Sequence, residues 1–333
     1  MNDMKGKQGM VCMGLLLVLS SCHTGKQITA SGLQRKDFQT EVNGQHTDLF
    51  TLSNKQGMEV CITNYGARVV SILVPDRNGK REDVVCGFST ITEYMEQRQN
   101  FGSTVGRYIG RILNARFTLD GVEYKLVPNN GKSGHISHGG NPGFADRIWK
   151  VEQADTHRVR LSYLSPDGEN GFPGNLKVTL VYSLGEDDNA LDLTYEATTD
   201  APTVLNLSHH SFFNISGNFT KSVEDQQLWV DADRFTPYDD KKCVTGEYLP
   251  VAGTPLDFRM PHAIGECIDA DHPQLKVVNG YDHTWELNTK GDDTRPAAWV
   301  YDPASGRKME IFTTEPGMQI YTGNGLKGKM TGK

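Results

Sequence analysis

Beyond its first forty residues the chain is patterned for strands. Met58-Glu59-Val60-Cys61-Ile62-Thr63 alternates apolar and polar side chains, and Val69 to Val74 is a β-branched run closed by Pro75-Asp76. The first reads as a strand with one wet face and the second as a buried strand. In FTLDGVEYKL, Asp120-Gly121 is a preferred two-residue hairpin turn. It sets Leu119 opposite Val122 and Phe117 opposite Tyr124, so the four apolar side chains share a face that excludes Thr118 and Glu123. Further strands are predicted at Val159–Leu164, Lys177–Leu184, Leu191–Thr198 (with Leu191, Leu193, Tyr195 and Ala197 inward), Leu228–Asp231, Ala297–Tyr301 and Lys308–Thr313. No window sustains helical spacing over three turns, and no repeat at a solenoid or propeller period is found. The pattern predicts one all-β domain over residues 41–333, a large antiparallel β-sandwich.

The start of the chain is different. Lys5 and Lys7 precede an apolar run, Met10 to Leu19, that is too short to span a bilayer and is followed by Ser20 and Ser21. That is the make-up of a secretory signal over residues 1–21. Leu19-Ser20-Ser21-Cys22 also resembles a bacterial lipobox, which would make Cys22 the lipidated first residue of an exported, periplasmic, membrane-anchored protein. Residues 22–40 are polar and aperiodic and read as a tether.

Charge and cysteine usage narrow the partners. A net charge of −7 argues against nucleic acid, whose binders carry basic surfaces, and fits a neutral small-molecule ligand. Cys61, Cys86, Cys243 and Cys267 are far apart and form no CxxC pair, which argues for small core residues rather than a zinc ribbon or disulfide scaffold.

The polar residues that strand periodicity leaves unexplained gather in five places: GRYIGRI (106–112), HISHGG (135–140), NLSHHSFFN (206–214), NGYDHTW (279–285) and TTEPGMQIYTG (313–323). Each mixes glycine with His, Arg, Asp or Gln, as functional loops do. Singly, each has a plain structural reading: Arg111 a surface ion-pair residue, Asp282 a turn residue, His138 a turn histidine, and His209 and His210 core histidines. His135 and His138 are spaced as metal ligands could be, but no third ligand follows, so no metal is expected.

Taken together in order, these stretches resemble the aldose 1-epimerase (mutarotase) family. Val105-Gly106-Arg107-Tyr108-Ile109-Gly110-Arg111-Ile112 is similar to its VGRxxNRI element, and His138-Gly139-Gly140 with Gly143-Phe144 and Trp149 to its HGG…GF…W stretch. Asn206 to Asn214 resembles NLTNHSYFN, Gly280-Tyr281-Asp282-His283 resembles G-(Y/F)-D-H, and Pro316 to Gly323 resembles PGxQxYTG. The match runs over about residues 40 to 326. The resemblance implies the galactose mutarotase-like supersandwich and interconversion of the α and β anomers of free aldoses such as glucose or galactose, without a cofactor. Opening a cyclic hemiacetal needs a proton delivered to the ring oxygen while another group takes the proton of the C1 hydroxyl. By resemblance His210 is the general acid, His138 a second donor near the ring oxygen, and Arg111, Asp282 and Gln319 hold sugar hydroxyls. Trp149, Phe213 and Trp285 are candidate sugar-facing aromatics, with core packing the commoner use of any one such ring.

Three departures accompany the match. Gly110 stands where that family has Asn, and His209 stands where it has Asn before the acid, placing a second titratable ring beside His210. The family's general-base glutamate lies on a later strand, and residues 325–333 hold nothing like it. Glu315 matches a different position, so no base is identified. The expectation is therefore a domain lacking its final strands and weak or absent turnover. The alternative is a lipid-anchored carbohydrate-binding protein without catalysis.

Overall fold

The computed structural model of the protein describes residues 27–326, 328 and 331–333. The expected signal 1–21, Cys22 and the first residues of the expected tether lie outside the described residues.

From residue 27 onward the tether expectation does not hold, because this segment is built into the domain. Ile28 bridges to Gln34, and the 3-10 turn Arg35–Phe38 places Phe38 in the core with no exposed surface. The backbone amides of Ala30 and Ser31 donate to Glu59 Oε1 at 2.7 and 3.2 Å. Leu33 and Phe38 are isolated apolar residues among polar ones, so they carry no period that would reveal them.

A small hairpin of β1 (Glu41–Val42) and β2 (Gln45–His46) precedes an antiparallel meander of β3 (Leu49–Ser53), β4 (Glu59–Thr63), β5 (Arg68–Pro75) and β6 (Arg81–Asp83). Every residue of β4 is buried, although its sequence alternates. Glu59 is tolerated there because the two amides from the N-terminal segment meet its carboxylate. Helix α1 (Ile91–Gln97) starts at a capping box of Thr90 and Glu93 and leads to β7 (Thr104–Val105) and β8 (Arg111–Ile112). Next, β9 (Arg116–Leu119) and β10 (Val122–Lys125) pair in the register that the sequence predicts. Asp120 and Gly121 turn between them at φ 51° and 79°, as that tight turn requires. β11 (Ile136–Ser137) returns to pair with β8.

A second meander follows: β12 (Lys150–Ala154), β13 (Arg158–Ser165), β14 (Leu176–Leu184) and β15 (Leu191–Thr199). Then β16 (Ser208–His209) reaches back to β7. The rest of the chain interleaves two sheets and one helix: β17 (Gln227–Val230), β18 (Arg234–Thr236), β19 (Leu249–Pro250), β20 (His262–Ala263), α2 (Pro273–Val278), β21 (Asp282–Glu286), β22 (Ala298–Tyr301), β23 (Lys308–Ile311) and β24 (Gly317–Tyr321). Their orders are β20-β17-β22-β23 and β19-β18-β21-β24.

The molecule is thus the all-β sandwich expected, its layers built from four four-stranded sheets. The largest core lies between the two meanders, where Val60, Ile62 and Val69 meet Trp149, Leu161, Val178, Leu180 and Tyr182. Each such side chain contributes roughly 1.5–3 kcal/mol on burial. A second core packs Leu228, Val230, Phe235, Tyr281 and Trp285 in the C-terminal sheets. One inward set is overturned in part. Leu191, Leu193 and Tyr195 are only half-buried and Ala197 is exposed, because β15 is the outer strand of its sheet and the core lies under its first half.

Candidate functional site

Two glycine elements meet backbone to backbone to make the floor of the site. A Cβ on Gly139 would stand 1.8 Å from the Gly106 carbonyl oxygen, and one on Gly106 would strike Phe144 and Leu207 within 2.7 Å. Only glycine permits that approach, which is why GR and HGG belong together. The crossing is continued by hydrogen bonds. His138 N–H donates to the Gly110 carbonyl at 2.9 Å, and Gly110 N–H donates to His138 Nδ1 at 3.2 Å. On the other side, His210 N–H donates to Ser103 O and Gly102 N–H donates to His210 O.

Those contacts bring the two imidazoles together. The His138 and His210 rings lie 5.4 Å apart, edge to face, and Phe212 stacks on His210 at 5.2 Å. Because the Gly110 amide occupies Nδ1 of His138, the neutral ring carries its proton on Nε2 and presents a donor there. Burial, reinforced by His210 and then Arg111, pushes His138 down to about 3. His210 is also held below the ordinary histidine value, first by burial and then by the Arg68 cation. Its ring nitrogens make no hydrogen bond to another residue among the described ones.

His209 points the other way, as strand alternation requires. Tyr182 donates its hydroxyl proton to Ala67 O at 2.7 Å and accepts from His209 Nδ1 at 3.4 Å, leaving His209 Nε2 to accept from Ser211 Oγ at 2.7 Å. Burial drives His209 down to about 3. It is a neutral bracket behind His210 rather than a second titrating ring.

The opposite wall comes from β21 and β24. Register sets Asp282 against Tyr321 and Thr284 against Gln319, so the four side chains share one face. Gln319 Nε2 donates to Asp282 Oδ1 at 2.7 Å, and Tyr321 packs edge-on against Phe212 at 5.6 Å, joining this wall to the imidazoles. The Asp282 carboxyl is raised by burial, an effect opposed first by Gln319 and then by Arg111. Arg111 stands within electrostatic reach of both His138 and Asp282, and its Nη1 donates to the Lys242 carbonyl at 2.9 Å.

All five residues singled out in the sequence, His138, His210, Arg111, Asp282 and Gln319, therefore gather around one space. The three candidate aromatics do not line it. Trp149 and Trp285 are fully buried core residues whose Nε1 atoms donate to Phe144 O and Leu256 O, and Phe213 lies on the surface. The rings at the site are Phe212, Tyr321 and Tyr238. A period of two counted from His210 and from Gln319 would have found the first two; Tyr238 lies in a loop and has no such signal. His283 is a core residue bonded to Gln274. Arg107 is structural too, its guanidinium bonded to the carbonyls of Ser165, Pro166, Pro173 and Gly174. His135 turns away to accept from Asn114 N–H at 3.0 Å. No carboxylate among the described residues stands close enough to raise the proton affinity of His138 or His210. A hollow of about 220 Å³ lined in part by Arg98, Asn129 and Asp146 adjoins His138. A larger one of about 410 Å³ around Asp233 and Lys290 touches none of the site residues.

The family model for aldose 1-epimerase matches residues 48–333. The galactose mutarotase of Sus scrofa is 39% identical over 284 residues, covering 85% of this chain and 80% of that one. The aldose 1-epimerase of Escherichia coli K12 is 36% identical over 286 residues, covering 86% and 81%. Among solved structures, a galactose 1-epimerase from Lactobacillus acidophilus superposes with a TM-score of 0.76 at 30% identity, covering 86% of this chain and 81% of its own. With the same motifs meeting at one site, the chain belongs to the aldose 1-epimerase family.

Proposed function

We propose that the protein interconverts the α and β anomers of a free aldose, with His210 as proton donor to the ring oxygen. The observation that carries this reading is the edge-to-face pair of His210 and His138 facing the wall of Asp282 and Gln319. Protonating the ring oxygen breaks its bond to C1 as the C1 hydroxyl gives up its proton, leaving an open-chain aldehyde. Rotation about C1–C2 and the reverse steps close the ring on the other face. His138, neutral with its proton on Nε2, donates a hydrogen bond to the ring oxygen and steadies the developing charge. Asp282 accepts from, and Arg111 donates to, sugar hydroxyls.

In this scheme the proton of the C1 hydroxyl passes to water. Polarimetry on fresh α-glucose or α-galactose tests this. Exchange above the buffer rate is expected, rising as pH falls from 8 to 6 because His210 is protonated only below the ordinary histidine range, and lost in His210→Asn. A second reading is a sugar-binding protein without turnover, which the acceptor Asp282 held by Gln319 would also serve. Saturable binding by calorimetry with no exchange at any pH would select it.

We also propose that the protein is exported and carries a lipid on Cys22, on the strength of residues 1–22. Radiolabelled palmitate should enter the wild type in a bacterial host and not Cys22→Ser; label in neither would overturn the anchor.

A further inference from the structure

We infer that Tyr238 is a substrate-contacting residue, its phenolic hydroxyl pairing with the free oxygen of Asp282 to read one hydroxyl-bearing edge of the sugar. The inference rests on the reading of this site as a sugar site and deepens it.

Hydrogen-bond accounting at Gln319 leads to it. The carboxylate of Asp282 can only accept, so Gln319 turns its amide nitrogen toward it, 2.7 Å from Oδ1. The second proton of that nitrogen goes to the hydroxyl oxygen of Tyr238 at 3.3 Å, and the Gln319 carbonyl accepts from Thr284 Oγ1. Both amide protons of Gln319 are then engaged, so it has no donor left for a ligand. It is a positioning residue, and what it holds in place is one acceptor, Asp282 Oδ2, beside one donor, the Tyr238 hydroxyl. Asp282 Oδ2 has no other hydrogen-bond partner among the described residues, and the Tyr238 oxygen accepts from Gln319 and Arg111, which leaves its own O–H proton to donate.

Tyr238 is fixed from behind as well. Its backbone N–H donates to Gln274 Oε1 at 2.8 Å and its carbonyl accepts from Gln274 Nε2 at 3.0 Å. Gln274 Oε1 also takes Nε2 of His283 at 3.3 Å, whose Nδ1 accepts from Asp282 N–H at 3.3 Å. The bonds run in a closed circuit: Asp282, His283, Gln274, Tyr238, Gln319 and back to Asp282. The Tyr238 ring also packs on His283 at 5.4 Å. Donor and acceptor are thus preset relative to each other, which is what recognition of a sugar hydroxyl needs. Burial, then the neighbouring Asp282 charge, keeps the phenol protonated and so a donor.

A site that donates to a hydroxyl discriminates against the analogue lacking it. The test is calorimetric binding of D-galactose, D-glucose and their 2-, 3-, 4- and 6-deoxy analogues to the wild type and to Tyr238→Phe, which keeps the ring on His283. The parent sugar is expected to bind about 10-fold more weakly to Tyr238→Phe, while one deoxy analogue, already weaker in the wild type, binds both proteins equally. Gln319→Leu should move the loss of binding in acid to higher pH, because Asp282 loses the donor that favours its charged form. Equal loss for every sugar, or no loss for any, overturns the role of Tyr238. A wild type that binds none of them overturns the sugar site itself.

Discussion

Protons reach His138 and His209 only near pH 3, because burial disfavours the imidazolium and His210 stands beside both. An unfolded histidine takes its proton near 6.5. Between about pH 6.5 and 3 the unfolded chain therefore binds more protons than the folded one, so these two residues cost stability as pH falls through that window. Asp282, with its carboxyl raised, acts with the opposite sign at the lower end of the window, holding a proton in the folded state that the unfolded chain has released. The urea midpoint is expected to drop from pH 7.5 to pH 5, and His209→Asn should flatten that drop; an unchanged slope would show that His209 titrates normally. At this scale the sequence was readable wherever a motif marked the residue, as for His210 and Asp282. It was silent on Tyr238, whose place depends on Gln274 and Gln319, remote in sequence and joined to it only by the fold.

Elements built on a period of two were legible throughout, from the Asp120-Gly121 hairpin to the long strands β13, β14 and β15. What the pattern missed were residues whose burial depends on a partner elsewhere. Glu59 is polar in sequence and buried in fact, because residues 30 and 31 supply its donors. The glycines of the site differ in the same way. Gly139 is at φ 79° with the Gly106 carbonyl against it, whereas Gly110, at φ 80°, looks into open space. Gly139→Ala is expected to lose about 3 kcal/mol or more, combining an unfavourable backbone region with a clash between main chains. Gly110→Ala should lose only about 1 kcal/mol, the cost of the backbone region alone. Thermal unfolding of the two variants checks the contrast, and similar losses would mean that the Gly106–Gly139 contact is not what demands glycine.

Across the whole molecule the two cores meet at Val300, and arginines tie the segments around that contact together. Arg307, 6% exposed, donates to the carbonyls of Ile215, Ser216 and Lys80, and Arg77 reaches Pro303 O at 2.6 Å. The site straddles this architecture. His138 and His210 ride on segments packed against the first meander, while Asp282 and Gln319 belong to a C-terminal sheet and Tyr238 to the loop after its strand β18. No hairpin of the chain carries both the imidazoles and the carboxylate, and long-range strand pairing is slow to form. The crossing of the two glycine elements can place His138 only after residues 102–111 have met 206–210, and it faces Asp282 only after the last strand has docked. A nascent or half-folded chain therefore presents local hairpins but no sugar site. Recognition is the last property this molecule gains on folding, and parting the two cores removes it before either core has melted.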